Sequence, residues 1–431
     1  MKQPIPVRKN DDISLQIDAI SAEGQGVGRI NGFAVFVPGA LAGEAVRAHV
    51  IKVMSNCAIA KLQAVETPSP HRVLPVCPVY ASCGGCALQH LAYPEQLRVK
   101  RQTVIDALAR IGGIAAPDVK ETIGMADPWR YRNKGSFPFA AIDGAVRFGF
   151  FAERSHRLVP FTDCMIQDAR LTDIANRVAE WANTYAVPAY DEGTRAGVLR
   201  HVVARTTADG GTMAVIVTTT KTLRHADALL ELLPQVTSVW HNTNPADTNV
   251  IFGPGFRLLA GEPALQETIA AHIFSVSPQS FLQVNATQTA RLYGEAVRLL
   301  DPREDECIVD AYCGIGTLSL LAARHAKRVI GIESVPEAIL DAKQNAEKNG
   351  LPNAEFRLGA VETVLPQLIR EGTPIDAVLL DPPRKGAEKS ALEALCASGA
   401  RRAVYVSCNP ATLARDVKIL TAGGFTLVTA Q

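Results

Sequence analysis

The chain has 431 residues and a mass of 46.1 kDa, about three times the size of a usual domain of roughly 150 residues, which predicts two or three domains. Hydrophobic residues make up 47% of it and charged residues 20%, which excludes a disordered, collagen-like or coiled-coil protein. Because 44 Lys and Arg stand against 43 Asp and Glu, the overall charge does not attract nucleic acid, and any such attraction has to come from local patches.

The start of the chain, MKQPIPVRKNDD, lacks the apolar core of a signal peptide, and no apolar stretch reaches the roughly 18 residues that a membrane helix needs. We therefore predict a cytoplasmic protein without a membrane segment. The nine cysteines are an odd number. In a chain without an export signal they favour reduced thiols, metal ligation or catalysis over a disulfide framework.

The first predicted unit is a small β-barrel. Residues 12–66 alternate short runs of period-two hydrophobicity with glycine-rich turns, a pattern typical of closed antiparallel strands. Three prolines then fall between Pro68 and Pro75, where neither strand nor helix can continue. The first domain is therefore predicted to cover residues 1–68.

The second predicted unit is an α+β domain over residues 69–275. It opens with a cysteine-bearing loop, and a helix is predicted over 94–111, begun by Pro94 and ended by two glycines. We expect this helix to pack on the C-terminal domain. Further along, RHVVARTT and TMAVIVTTT flank the turn ADGG, which predicts a β-hairpin.

From residue 276 to 431 strands alternate with helices, in the order IVDAYC, VIGIES, EFRLGA, DAVLLDPP, AVYVSC and FTLVT for the strands. This alternation predicts a parallel sheet with right-handed crossovers. Ligands of such sheets bind outside the carboxyl ends of the strands, so the residues that end each strand are the candidate site.

Four of these candidates follow the first strand in DAYCGIGT, namely Asp310, Tyr312, Gly314 and Gly316. The glycines allow close approach of a ligand, but Ser319 replaces the third glycine of a dinucleotide fingerprint, which disfavours a pyrophosphate. Glu333 ends the second strand, where a carboxylate can accept both ribose hydroxyls. A ribose without a diphosphate points to S-adenosylmethionine; the competing interpretation is a plain tight turn with a surface glutamate.

Asp381 and Cys408 end the fourth and fifth strands. Two prolines after Asp381 stiffen the loop that leaves the sheet. Cysteines are most often buried and inert, but Cys408 stands at a strand terminus before Asn409 and Pro410, where exposure to a cleft makes it a candidate nucleophile. We expect Asp381 and Cys408 to face one cleft.

The cysteine loop is a second candidate site. Cys77, Cys83 and Cys86 lie in CPVYASCGGC, and Cys164 follows in FTDCMIQ. Four thiolates can hold either zinc or an iron–sulfur cluster. Only one short CxxC pair is present, so the spacing slightly favours a cluster. We interpret Cys57, Cys307, Cys313 and Cys396 as core residues.

A basic segment is the candidate RNA-binding surface. Residues 98–157 contain 11 Lys and Arg against 6 Asp and Glu. Within them, WRYRNKGSFPF interleaves aromatic residues with Arg130, Arg132 and Lys134, a mixture that combines base stacking with phosphate contacts. A solvated strand face with buried aromatics explains the same pattern equally well.

The motifs SFLQVN (280–285), DAYCGIGT (310–317), DPPRKG (381–386) and SCNP (407–410), in this order, resemble the RNA uridine-5-methyltransferase family, particularly its bacterial 23S rRNA members. The resemblance extends over nearly the whole chain, since the barrel is similar to a TRAM domain and the cysteine loop also matches. It implies a TRAM barrel, a central RNA-binding domain and a Rossmann-like α/β class I methyltransferase domain.

For the sites, the resemblance implies a covalent mechanism with Cys408 as the nucleophile and Asp381 as a second catalytic residue. It implies a [4Fe–4S] cluster on Cys77, Cys83, Cys86 and Cys164, and an S-adenosylmethionine site formed by Gln283, Tyr312, Thr317, Glu333 and Asp381. The implied partner is RNA, 23S rRNA before tRNA, because the branch that methylates uridine-54 of tRNA usually lacks the barrel and the cysteines. We predict a monomer.

One family motif is absent from the sequence. In the family that this sequence resembles, the glutamate that removes the C5 proton lies in a motif that reads roughly D-x-F-P-x-T-x-H-x-E. The 431 residues end at GGFTLVTAQ without this motif. We therefore predict a truncated gene product whose residues 425–431 pack poorly and which forms a covalent RNA adduct but releases product slowly. The alternatives left open are an RNA-binding protein without turnover, methylation of tRNA, and methylation of cytosine.

Overall fold

A computed structural model describes residues 5–431. The N-terminal part is a closed barrel of five strands in the order β1-β2-β3-β5-β4. The alternating pattern of the sequence places valines and alanines inside, among them Val35, Val46 and Ala58, all fully buried. The strands are β1 (Asp12–Ile20), β2 (Gly26–Ile30), β3 (Phe33–Val37), β4 (Ala45–Val53) and β5 (Cys57–Thr67).

One buried carboxylate joins the barrel to the segment that follows it. Glu44 is fully buried and accepts hydrogen bonds from Arg72 at 2.5 and 2.7 Å and from the backbone N–H of Ser69 at 3.1 Å. The guanidinium and the backbone donors hold the pKa of Glu44 below its usual value, although burial opposes them. A buried charge of this kind is tolerated because it is paired.

The central domain is built on a seven-stranded sheet of order β12-β11-β10-β9-β6-β7-β8. Its pairs are antiparallel except β10 with β11. The predicted hairpin is formed by β9 and β10. The elements are α1 (Tyr93–Arg110), β6 (Lys134–Ile142), β7 (Ala145–Phe151), β8 (Leu158–Pro160), α2 (Ala169–Thr184), β9 (Leu199–Thr206), β10 (Thr212–Thr218), α3 (Ala226–Leu232), β11 (Ser238–Thr243) and β12 (Gly255–Gly261).

A short hairpin connects this sheet to the C-terminal domain. It consists of β13 (Leu265–Ile269) and β14 (His272–Val276). Ile269, Phe274 and Val276 are buried in one cluster with the C-terminal sheet and its helices. The predicted boundary at residue 276 thus falls at the end of a hairpin that packs with the C-terminal core.

The C-terminal sheet has five parallel strands in the order β17-β16-β15-β18-β19. The strand order reverses beside β15, so the crevice between the ends of β15 and β18 is where such a sheet binds ligands. The elements are α4 (Ala286–Leu300), β15 (Cys307–Ala311), α5 (Thr317–Ala323), β16 (Arg328–Glu333), α6 (Pro336–Lys348), β17 (Ala354–Leu358), α7 (Val361–Arg370), β18 (Ala377–Leu380), α8 (Lys389–Ala397), β19 (Arg402–Tyr405) and α9 (Pro410–Ala422).

The prediction of a strand at FTLVT is wrong. Residues 425–429 are not in a strand, and Ala430 instead forms an isolated parallel bridge to Val119. The amide of Ala430 donates to Asp118 at 2.8 Å, and its carbonyl accepts from the amide of Lys120 at 2.8 Å. The segment therefore finds backbone partners outside the sheet. Val428 is 81% exposed, and a cavity of about 1290 Å³ separates the segment from β19 and α4.

Helix α1, which precedes the central sheet in sequence, packs on the C-terminal domain. Ala107 and Leu108 are buried against Ala414 and Val417 of α9. The N-terminal proline of α1 and the paired glycines after it bound the helix close to the expected positions. Among residues 5–431 no helix is both long and apolar enough to cross a membrane.

Candidate active site

The loop after β15 forms the floor of the candidate site. Tyr312, Gly314 and Gly316 all have positive φ, at +69°, +55° and +85°. A tyrosine rarely adopts this conformation, and such strain concentrates at ligand sites. A Cβ added to Gly314 would meet nothing within 4 Å, so the loop leaves open space above this residue. Thr317 begins α5 and is buried.

The acidic end of β16 lies against the glycine loop. Glu333 accepts the amide of Gly314 at 3.2 Å through one oxygen and the amides of Ser334 and Val335 at 2.6 and 2.8 Å through the other. The carboxylate is thus held beside the open space at Gly314. This is the place where a carboxylate can accept ribose hydroxyls.

Asp310 is enclosed beneath the loop. It is 1% exposed, and Ser319 donates to its Oδ2 at 2.5 Å, while its Oδ1 is buried without a partner. Burial raises the pKa of Asp310 to about 7, and the charge of Asp381 acts in the same direction. Ser319, the residue that breaks the dinucleotide fingerprint, is therefore the residue that ties the loop to its helix.

Asp381 lies on the other side of the switch point, at the end of β18. Its Oδ2 accepts a hydrogen bond from the hydroxyl of Tyr293 at 3.1 Å, and that hydroxyl accepts one from Nε2 of Gln283 at 3.4 Å. Burial raises the pKa of Asp381, and the contacts with Tyr293 and Gln283 partly offset this. Gln283 and Asp381, predicted from motifs about a hundred residues apart, thus meet through a residue of α4.

Cys408 is exposed. It follows β19, whose Tyr405 pairs with Leu380 of β18, so Cys408 and Asp381 leave the sheet at the carboxyl ends of neighbouring strands. Asn409 caps α9 by accepting the amides of Ala411 and Thr412. Cys408 is therefore the residue directly before the N-terminal cap of α9.

A buried aspartate on α9 joins the loops that carry these two residues. Asp416 is fully buried and accepts from the hydroxyl of Tyr405 at 2.6 Å, from the amide of Ala387 at 2.9 Å and from Nε of Arg415 at 2.7 Å. Arg415 also donates to the carbonyl of Lys385 at 2.9 Å. The loop after Asp381 is thereby fixed to the helix that starts beside Cys408.

The four predicted ligand cysteines, Cys77, Cys83, Cys86 and Cys164, line one pocket of about 430 Å³. All four are free thiols. Burial raises the pKa of three of them, Cys83, Cys86 and Cys164. Within residues 5–431 no three Cys, His, Asp or Glu side chains are arranged to hold a metal ion, so the structure by itself does not support the predicted cluster.

The predicted RNA-binding residues lie around the same pocket. Arg130 is bound to both carboxylate oxygens of Asp163 at 2.6 Å. Arg132 and Lys134 line the cysteine pocket, and burial lowers the pKa of Lys134 to about 8. Their role in RNA binding stays a prediction.

Two residues of the candidate site were not predicted from the sequence. Tyr293 lies in the middle of α4 and Asp416 in the middle of α9, and neither stands at the end of a strand. The signal that could have found them is a polar side chain on the face of a helix that the spacing of apolar residues predicts to be buried.

Comparison with known proteins identifies the family and the fold. Residues 265–425 match the model of the tRNA (uracil-5-)-methyltransferase family, and residues 8–62 match the TRAM domain. An uncharacterized RNA methyltransferase of Clostridium tetani is 44% identical over 436 residues, covering 100% of this chain and 95% of the relative. Another, from Halalkalibacterium halodurans, is 44% identical and covers 98% and 94%. With this coverage, the comparisons do not support the predicted truncation.

Among solved structures, the tRNA (uracil-54, C5)-methyltransferase of Pyrococcus abyssi, in complex with S-adenosyl-L-homocysteine, superposes with a TM-score of 0.76 at 26% identity. The match covers 94% of this chain and 92% of that one. These matches confirm the barrel, the methyltransferase fold and S-adenosylmethionine as the methyl donor of an enzyme that acts on RNA. The chain belongs to the S-adenosylmethionine-dependent RNA uracil-5-methyltransferase family.

Proposed function

We propose that the protein methylates C5 of a uridine in RNA through a covalent adduct between Cys408 and C6 of the base. The observation that carries this proposal is the pair formed by an exposed cysteine and a half-buried carboxylate at the carboxyl ends of β19 and β18. The donor site is adjacent, since the loop after β15 and the end of β16 belong to the same edge of the sheet.

The residues match the demands of the chemistry. C5 of uracil is too weak a nucleophile to take a methyl group unaided, so the thiolate of Cys408 first adds to C6 and makes C5 enolate-like. C5 then takes the methyl group from the sulfonium, whose electron pair returns to sulfur. A base removes the C5 proton, and the electrons of that bond restore the C5–C6 double bond as the Cys408 sulfur leaves.

Three carboxylates suit a positively charged donor. Asp310, Glu333 and Asp381 surround the switch point, and the charges of Glu333 and Asp381 both contribute to the raised pKa of Asp310. A sulfonium placed among them relieves this repulsion. The open space above Gly314 and the bare Oδ1 of Asp310 fit the same ligand.

We infer that the substrate is 23S rRNA or tRNA. The resemblance favours rRNA because of the barrel and the cysteine loop. The tRNA enzyme of Pyrococcus abyssi, however, matches 94% of the chain, and the remaining 6% of 431 residues, about 26, is fewer than the barrel contains. The barrel therefore does not separate the two substrates. The target base has to be unstacked to reach Cys408.

A [4Fe–4S] cluster on the cysteine pocket is part of this proposal. Four cysteines line the pocket, and its volume of about 430 Å³ is far larger than a single zinc ion requires. The backbone amide of Gly85 donates a hydrogen bond to the sulfur of Cys83 at 3.4 Å. Backbone amides of this kind form hydrogen bonds with the sulfurs of iron–sulfur clusters. Four cysteines in one pocket supply the number of thiolates that such a cluster needs, and its role would be to hold the loop and the domains in place. The assignment is tested by measuring the iron and sulfide content of the purified protein. Cys83→Ser should lower both, whereas Cys57→Ser, which changes a cysteine outside the pocket, should leave both unchanged.

The proposed reaction is tested with transcripts of 23S rRNA and tRNA and a labelled donor. Mass spectrometry of the digested RNA reports 5-methyluridine, and mass spectrometry of the protein reports a trapped adduct. Cys408→Ser should abolish both, while Cys396→Ser should abolish neither. Label in cytosine, or none in RNA or protein with the wild type, refutes the proposal. The monomeric state and the cytoplasmic location stay predictions.

A further inference from the structure

The hydroxyl of Tyr293 occupies a central place in the site that the proposed reaction does not use. Tyr293 lies on α4 and is 6% exposed. It donates to Oδ2 of Asp381 at 3.1 Å and accepts from Nε2 of Gln283 at 3.4 Å. One buried hydroxyl thus connects the segment before α4 with the end of β18.

The surroundings leave Asp381 few other sources of stabilisation. Gln283 faces it from the segment before α4, and Asp310 faces it from β15 as a like charge. Among residues 5–431 no Lys, Arg or His lies within ion-pair distance of Asp381. A half-buried carboxylate without a cation depends on its hydrogen-bond donors to remain charged.

We propose that Tyr293 is a positioning residue of the methyl-transfer site, which holds the carboxylate of Asp381 in one orientation and stabilises its negative charge. Tyr293 acts through Asp381 and need not touch RNA or donor. The inference rests on the proposed function, because it assigns the ionised form of Asp381 a part in methyl transfer.

The expected effect is a shift in pH dependence. Burial already raises the pKa of Asp381, and the Tyr293 hydroxyl works against burial. Tyr293→Phe removes the hydroxyl but keeps the ring, so the pKa of Asp381 should rise further. A hydrogen bond to a buried charge of this strength corresponds to about one to two pH units. If activity needs the ionised carboxylate, the pH below which activity falls should rise by the same amount.

The assay is single-turnover formation of a protein–RNA adduct with 5-fluorouracil-substituted 23S rRNA transcript and S-adenosylmethionine, measured as a function of pH. After methyl transfer C5 carries fluorine and methyl but no proton, so elimination is blocked and the adduct accumulates whatever group acts as base. The adduct rate therefore reports the steps up to methyl transfer. Binding of S-adenosylmethionine is measured in parallel by calorimetry.

Tyr93→Phe is the control. The hydroxyl of Tyr93 on α1 accepts the amide of Met125 at 2.8 Å, and neither residue belongs to the candidate site. This variant should lower stability without moving the pH midpoint. Tyr293→Phe should move the midpoint up by about one to two units and lower the rate about ten-fold or more at pH values below both midpoints.

An unmoved midpoint in a folded Tyr293→Phe protein overturns the inference. If the variant does not fold, Tyr293→Leu, which also removes the hydroxyl, should raise the midpoint in the same way, and an unmoved midpoint there also overturns the inference. With folded Tyr293→Phe, the pair Asp381→Asn and Asp381→Asn/Tyr293→Phe gives a second test. A residue that acts through Asp381 should add less than three-fold to the effect of Asp381→Asn. Independent, multiplicative losses would count against it. Failure of the wild type to form an adduct with either a 23S rRNA or a tRNA transcript that carries 5-fluorouracil would refute the proposed function instead.

Discussion

Asp416→Ala should loosen the loop that follows Asp381 while the remainder of the chain stays folded. Asp416 is fully buried and is the acceptor for three donors, the hydroxyl of Tyr405, the amide of Ala387 and Nε of Arg415. Alanine leaves all three without this acceptor. The buried hydroxyl and amide weigh most, because the Arg415 side chain is 49% exposed and water can replace its partner.

The size of the effect follows from these contacts. Each buried donor left unsatisfied costs about 1 to 3 kcal/mol, so the hydroxyl of Tyr405 and the amide of Ala387 together cost about 2 to 6 kcal/mol. We use about 4 kcal/mol. If local opening controls exchange, this energy corresponds to roughly a thousand-fold loss of protection at the Ala387 amide.

Hydrogen–deuterium exchange of peptides that cover residues 382–392 measures this loss. Glu393→Ala is the control, since Glu393 forms an exposed pair with Lys389, and such pairs contribute about 0 to 1 kcal/mol. The Asp416→Ala protein should exchange fast in this loop and keep its protection in the central sheet. Exchange as slow as in the wild type would refute the assignment of Asp416 as the tie between α9 and the loop.

Three further predictions concern the site itself. Cys408→Ser should form no adduct with 5-fluorouracil RNA yet bind S-adenosylmethionine within about three-fold of the wild type, and a loss of donor binding would argue against a purely nucleophilic role. Gly316→Ala should weaken donor binding about ten-fold or more, because Gly316 has φ +85° and the added Cβ would lie 3.1 Å from Phe356; calorimetry that finds unchanged affinity contradicts this. Stability should fall as pH rises from about 4 to about 7, because burial raises the pKa of Asp310 to about 7 and the folded state then binds more protons than the unfolded state. Asp310→Asn should flatten this slope in urea unfolding, and an unchanged slope assigns it to another group.

The strand-terminal residues of the site could be predicted because two rules placed them. Parallel strands end at one edge of a sheet, and ligands bind there, so Asp310, Glu333, Asp381 and Cys408 were identified from the hydrophobic runs before them. The same rules say nothing about a helix interior, where Tyr293 and Asp416 are found. Their importance depends on which loop each helix covers, which is a property of packing and not of local sequence.

The prediction of a last strand at FTLVT was wrong for a related reason. FTLVT has the composition of a strand, but a strand requires a partner edge, and the edge beside it in the fold is the segment 118–120. Backbone groups take the partner that geometry supplies. A prediction from composition could identify an extended segment and could not identify its neighbour.

The segment 281–284 relates the two candidate sites to each other. Phe281, Leu282 and Val284 line the cysteine pocket, whereas the amide of Gln283 reaches Tyr293 on the side of Asp381. The segment is held by the central domain, because Asn133 donates to the carbonyls of Val284 at 2.8 Å and Gln283 at 3.2 Å.

Because one stretch of backbone lines the cysteine pocket and carries Gln283, we expect a change in the shape of the pocket to shift Gln283. A structural role for the four cysteines would therefore affect methyl transfer through the position of Gln283. The pocket needs no redox chemistry to matter for the reaction, since it supports the backbone from which Gln283 extends toward Tyr293 and Asp381.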